Sequence, residues 1–121
     1  MKVKNENCKK LLSGVVIHGA DLYSATKDYP IMKSWSDKIN QEFLNQTADE
    51  ERLGIPVTAY MKELDKEQAR AKSEIGFIKI IARPIWTTLN SFFDNKLEEQ
   101  IKTIEDNLSA WEKTLEKFAQ K

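Results

Sequence analysis

The amino-acid sequence predicts an all-α fold of about five helices, and three observations carry that prediction. Apolar residues recur three and four apart along most of the chain, most cleanly at Leu97, Ile101, Ile104, Leu108, Trp111, Leu115 and Phe118. Beyond the short Val15 to Ile17 run, no stretch alternates apolar and polar residues as a half-buried strand does. The composition, with 40% hydrophobic and 31% charged residues but only 4 Gly and 3 Pro in 121 residues, is that of a helix-rich globular chain. Such a length fits one domain, here residues 1–121, with a single hydrophobic core.

The elements follow in order. Cys8, Leu11, Leu12, Val15 and Val16 recur at helical spacing. The same start imitates a secretory signal, with Lys2, Lys4, Lys9 and Lys10 ahead of an apolar stretch, but Ser13 and Gly14 interrupt that stretch and favour the helix. From Ile31, the residues Ile31, Trp35, Ile39 and Phe43 fall four apart and make a one-sided helix, with Asp28 as its cap and Pro30 in its first turn. Thr47 and Glu50 form a capping box that predicts a short second piece, stopped by Gly54 and Pro56. Ile55 to Leu64 has no period and reads as a loop.

Asp65 and Gln68 form another capping-box pair, opening a helix through Ile75, Phe77, Ile78, Ile80 and Ile81 that Pro84 must break or kink. Apolar residues surround nearly its whole turn, which predicts the most buried helix of the chain. After Pro84 comes an amphipathic piece bearing Ile85, Trp86, Leu89, Phe92 and Phe93, closed by Asp94 and Asn95. The last segment has a narrow heptad stripe, which either docks on the preceding helices or pairs with another chain. Trp35, Trp86 and Trp111 read as core fillers on three helix faces.

Charge and chemistry narrow the function classes. The 19 Lys and Arg balance the 19 Asp and Glu, and Arg52, Arg70 and Arg83 are scattered, so no basic patch invites nucleic acid. No apolar run approaches the roughly 20 residues that cross a bilayer. One cysteine, Cys8, cannot form an internal disulfide, and one histidine cannot complete a Cys/His zinc site, which together predict a reducing, cytoplasmic home. His18 and Asp21 would share a face of a helix, yet a lone pair at that spacing is more often a surface or capping hydrogen bond than a metal site.

The run His18-Gly19-Ala20-Asp21-Leu22, followed by Thr26-Lys27 and by Trp35-Ser36-Asp37-Lys38-Ile39 with Glu42-Phe43, resembles the C-terminal part of the class I cyclic nucleotide phosphodiesterase catalytic domain. The order continues through Gly54-Ile55-Pro56-Val57 and Met61, Lys72-Ser73-Glu74-Ile75-Gly76-Phe77-Ile78, Arg83-Pro84-Ile85-Trp86 and Glu105-Asp106-Asn107. The resemblance spans Cys8 to Phe118, and several ordered motifs at matching spacing make it more specific than any one of them.

The resemblance implies a larger helical domain in which two metal ions, zinc and magnesium, activate a water that opens the cyclic phosphate of cAMP or cGMP while a histidine protonates the leaving oxygen. Asp21 matches the family's metal-ligating aspartate of this region, whereas His18 belongs to the motif without binding metal. Ile39 and Phe77 match the apolar walls that sandwich the purine, and Glu74 stands where the family has a glutamine that hydrogen-bonds the base. Each has a plainer alternative. Ile39 and Phe77 would be core residues in any helical domain, Asp21 a helix cap, and Glu74 a solvated carboxylate beside Lys72.

The sequence departs from the family in three respects. An ionised Glu74 accepts hydrogen bonds but cannot donate as a glutamine does. Tyr23 and Ser24 replace a common serine and asparagine. The histidine-rich motifs that carry the other metal ligands and the proton donor are absent, since the only histidine is His18. The expected function is therefore the C-terminal portion of a cyclic nucleotide phosphodiesterase, inactive by itself and holding no metal by itself. It would self-associate or pack against an N-terminal part. The alternative is a non-catalytic helical interaction module derived from that family.

Overall fold

The computed structural model describes residues 5–119, so Lys2 and Lys4 of the signal-like start lie outside the described residues. Five α-helices occur among them: α1 (Glu6–Asp21), α2 (Tyr29–Arg52), α3 (Glu67–Phe77), α4 (Arg83–Phe92) and α5 (Glu98–Ala119). Short 3₁₀ turns at Tyr23–Thr26 and Ala59–Met61 complete the connections. The all-α expectation holds, and its reason is the three-and-four spacing of apolar residues.

Helix α1 starts at Asn5, whose side chain accepts a hydrogen bond from the Asn7 amide at 2.8 Å. Its buried residue is Gly19, packed so closely on α4 that a Cβ there would stand 2.6 Å from Leu89 Cδ1. Helix α2 does not divide at the Thr47–Glu50 pair. Thr47 Oγ1 turns back to donate to the Phe43 carbonyl, and the Glu50 carboxylate accepts instead from the Thr58 amide at 3.1 Å. The helix runs on to Arg52 and stops where Gly54 takes a left-handed φ of +67°. The capping box is overruled because uninterrupted helix satisfies more backbone than a new start would.

The Asp65–Gln68 pair likewise forms no cap: Lys66 occupies the N-cap of α3 without a side-chain bond. Of the break or kink expected at Pro84, the structure shows a local widening just ahead of it. Ile78–Ala82 widens into a π turn in which the Arg83 amide donates to the Ile78 carbonyl five residues back, and α4 then continues. Proline lacks the amide that an α-helix needs and crowds the carbonyl four residues earlier, and a widened turn just upstream relieves that conflict without ending the helix. The apolar surround of this segment is not buried as expected: Ile78 and Ala82 are inside, but Ile80 is 77% exposed and Ile81 is exposed as well.

The core sits against α5. Ile104, Leu108 and Trp111 are buried there with Met32, Ala71, Ile78 and Ala82, and Tyr29 meets the Trp111 ring edge-on with centroids 5.4 Å apart. The terminal stripe thus docks on the preceding helices, chiefly α3 and α4. Trp35 does not join Trp111 as a core filler; it lies exposed on α2 with its ring edge toward Tyr23.

Candidate functional site

The apolar side of α2 is not its buried side. Ile31, Trp35 and Ile39 are exposed, while the inward positions are Met32, Ser36, Asn40 and Thr47. Three polar side chains can turn inward because each is hydrogen-bonded. Asn40 Nδ2 donates to the Ser36 carbonyl at 2.8 Å and to Ser36 Oγ at 3.0 Å, and Ser36 Oγ donates to Glu74 Oε1 on α3 at 2.6 Å.

That chain of bonds forms one wall of a cavity of about 420 Å³ between α2, α3 and the end of α1. Asp21, Ser24, Ile39, Glu74 and Phe77 all line it, although they are spread over three helices and a turn. Tyr60 lines it from the second 3₁₀ turn, its ring edge-on to Phe43 with centroids 6.3 Å apart. His18 is exposed one turn before Asp21 and does not line the cavity. Tyr23 also stands outside, against Trp35.

The walls are largely apolar, so the polar groups in them are costly to leave unpaired. Burial pushes the Glu74 carboxyl above the usual carboxylate range, the nearby charge of Asp37 adds to the rise, and the Ser36 hydroxyl opposes it. Ser36 and Asn40 are the residues that sequence reasoning missed. Their only signal was a polar repeat four apart, Ser36 then Asn40, beside the apolar one, which could have marked a second face of α2 turned inward.

A second device fixes the turn that carries Ser24. Asn107, almost fully buried on α5, donates through Nδ2 to the carbonyls of Ala25 and Lys27 at 2.9 and 2.8 Å. These bonds satisfy carbonyls that the short turn leaves without helical partners and hold it against α5.

No group of three or more His, Cys, Asp or Glu among the described residues could hold a metal ion. The zinc and magnesium implied by the resemblance do not fit these residues alone, because Asp21 offers a single exposed carboxylate where a stable site needs several ligands. Among the described residues no helix is long and apolar enough to cross a membrane.

The described residues thus form an all-α scaffold around a mostly apolar cavity with the half-buried carboxyl of Glu74 in its wall. A family profile described as 3′5′-cyclic nucleotide phosphodiesterase matches residues 1–104, and the chain belongs to that family. A probable 3′,5′-cyclic phosphodiesterase of Caenorhabditis elegans is 35% identical over 88 residues, covering 73% of this chain and 13% of that protein. The 3′,5′-cyclic-AMP phosphodiesterase 4C of Rattus norvegicus is 33% identical over 93 residues, covering 76% of this chain and 17% of that protein. The crystal structure of the phosphodiesterase domain of the RhoPDE fusion protein from the choanoflagellate Salpingoeca rosetta superposes with a TM-score of 0.90 at 30% identity, over 98% of this chain and 37% of that one. The chain thus spans less than a fifth of the length of these curated relatives.

Proposed function

We propose that this chain is the C-terminal portion of a 3′,5′-cyclic nucleotide phosphodiesterase catalytic domain, carrying the purine-binding wall and one metal-ligating aspartate, and that it hydrolyses nothing by itself. One observation supports this best: Asp21, Ile39 and the Glu74–Phe77 pair, brought together from three separate helices, line one cavity. Ile39 and Phe77 would hold the flat base between apolar faces, with Glu74 at its polar edge and Asp21 toward the phosphate. The scissile P–O bond would be opened by groups outside this set, and zinc and magnesium would belong to the complete domain. With no disulfide possible from Cys8 alone, a cytoplasmic, cyclic-nucleotide signalling role suits the reading.

Metal analysis of the purified chain together with a cAMP and cGMP turnover assay tests it. The expected result is sub-stoichiometric metal and no turnover. Equimolar zinc, or turnover abolished by Asp21→Ala, would overturn it.

A second reading is a non-catalytic interaction module from the same family. The exposed apolar side chains of Leu11, Ile17 and Ile80 favour it, since surfaces of that kind meet a partner, a second copy or the remainder of a larger domain.

A further inference from the structure

The hydrogen bonds around Glu74 run in one direction only. The Ser36 carbonyl can only accept, so Asn40 must present its NH₂ to it, and the same NH₂ reaches Ser36 Oγ. The serine hydroxyl therefore accepts from Asn40 and spends its single hydrogen on Glu74 Oε1. Among the described residues nothing donates to the other oxygen, Oε2. Because Oε1 faces a donor, a proton taken up by Glu74 resides on Oε2. The free oxygen is thus an acceptor when Glu74 is ionised and a donor when it is protonated.

Purines differ at the edge such an oxygen would meet. Guanine presents two adjacent donors, N1–H and N2–H₂, whereas adenine presents one donor, N6–H₂, beside the acceptor N1. A carboxylate accepts from both guanine donors but leaves adenine N1 facing a negative oxygen. We propose that Asn40 and Ser36 position Glu74 as an acceptor edge, so that the cavity selects a guanine-bearing cyclic nucleotide over an adenine-bearing one while Glu74 is ionised. This rests on the reading of the cavity as the purine site and adds the residues that decide which purine enters.

The titratable and charged groups around Glu74 are Asp37 on α2, Arg70 one turn earlier on α3 and 3.5 Å from Asp37, and Asp21 and Tyr60 in the cavity wall. Binding of cGMP, cIMP and cAMP to the full chain, followed by saturation-transfer NMR between pH 5 and 8, separates their effects from that of Glu74. At pH 8 the expected order is cGMP, then cIMP, then cAMP, with roughly tenfold between the extremes, the worth of about one satisfied hydrogen bond. The preference should fall as the pH falls and Glu74 becomes a donor.

Glu74→Gln should remove that pH dependence. Ser36→Ala should move its midpoint to higher pH, since the lost hydroxyl was favouring the ionised form, and Ser36→Thr should restore it. Should Ser36→Ala fail to fold, the carbon-13 titration of the Glu74 carboxyl in the parent chain and Glu74→Gln carry the test. Nucleotide binding without a guanine preference, or with a pH dependence that survives in Glu74→Gln, overturns this inference and leaves the purine site standing. Folded protein that binds none of the three overturns the purine site and this inference with it.

Discussion

Glu74 is acceptable in an apolar wall because Ser36 donates to it, and Ser36 is in turn held by Asn40. Its folded-state pKa lies above its unfolded value, chiefly through burial. A carboxyl shifted in that direction favours folding most below the unfolded pKa, and that advantage is lost as the pH rises through the folded pKa. Glu74→Gln keeps an acceptor for Ser36 and has no charge to bury. The variant should therefore unfold at a higher temperature than the parent at pH 7 to 8, with the difference shrinking toward zero as the pH falls below the ordinary carboxylate range. Calorimetric melting across that range checks it, and a difference that grows in acid would mean that Glu74 is stabilised as an anion.

At the scale of elements, what positions the cavity is a set of contacts between segments distant in sequence. Asn107 is the clearest, joining α5 to the turn of Tyr23–Thr26 across some 80 residues. Asn107→Ala would leave the buried Ala25 carbonyl without its donor and strip the Lys27 carbonyl of the same amide, which costs about 1 to 3 kcal/mol. Asn107→Asp should be worse, since it turns an anion toward two carbonyl oxygens. Urea unfolding measures both, and an unchanged midpoint for Asn107→Asp would show that the turn holds itself. The salt bridges Lys79–Glu112 at 2.6 Å and Arg83–Glu105 at 3.5 Å also tie this region to α5, but both are half-exposed and contribute little.

At the scale of the whole molecule, the distribution of apolar surface is uneven. Ile31 and Trp35 on α2, Ile80 in the π turn and Leu11 and Ile17 on α1 stand exposed outside the buried core. Sedimentation should therefore show a dimer or larger species at micromolar concentration, and Ile80→Lys should shift the distribution toward monomer. A compact monomer that unfolds cooperatively and is indifferent to Ile80→Lys would show that these side chains are simply tolerated in water.

Helix content and order were legible in the sequence because they follow from local spacing: the stripe of α5, Pro30 opening α2 and the left-handed Asp94 and Asn95 closing α4 each act within a few residues. Family membership was legible for a related reason, since ordered short motifs survive as strings. Which face of α2 turns inward was not, because Ile31, Trp35 and Ile39 make the stronger apolar pattern, while the buried Ser36 and Asn40 become acceptable only once Glu74 arrives from α3. Thr47 and Glu50 misled for the same cause: a local capping signal is worth about 0.5 to 2 kcal/mol, and tertiary packing of a continuous helix outweighs it. The sequence by itself determined the helices and their kinship. Only the tertiary structure decided the cavity and its hydrogen-bonded wall, because buried polar groups are satisfied by partners that no local pattern names.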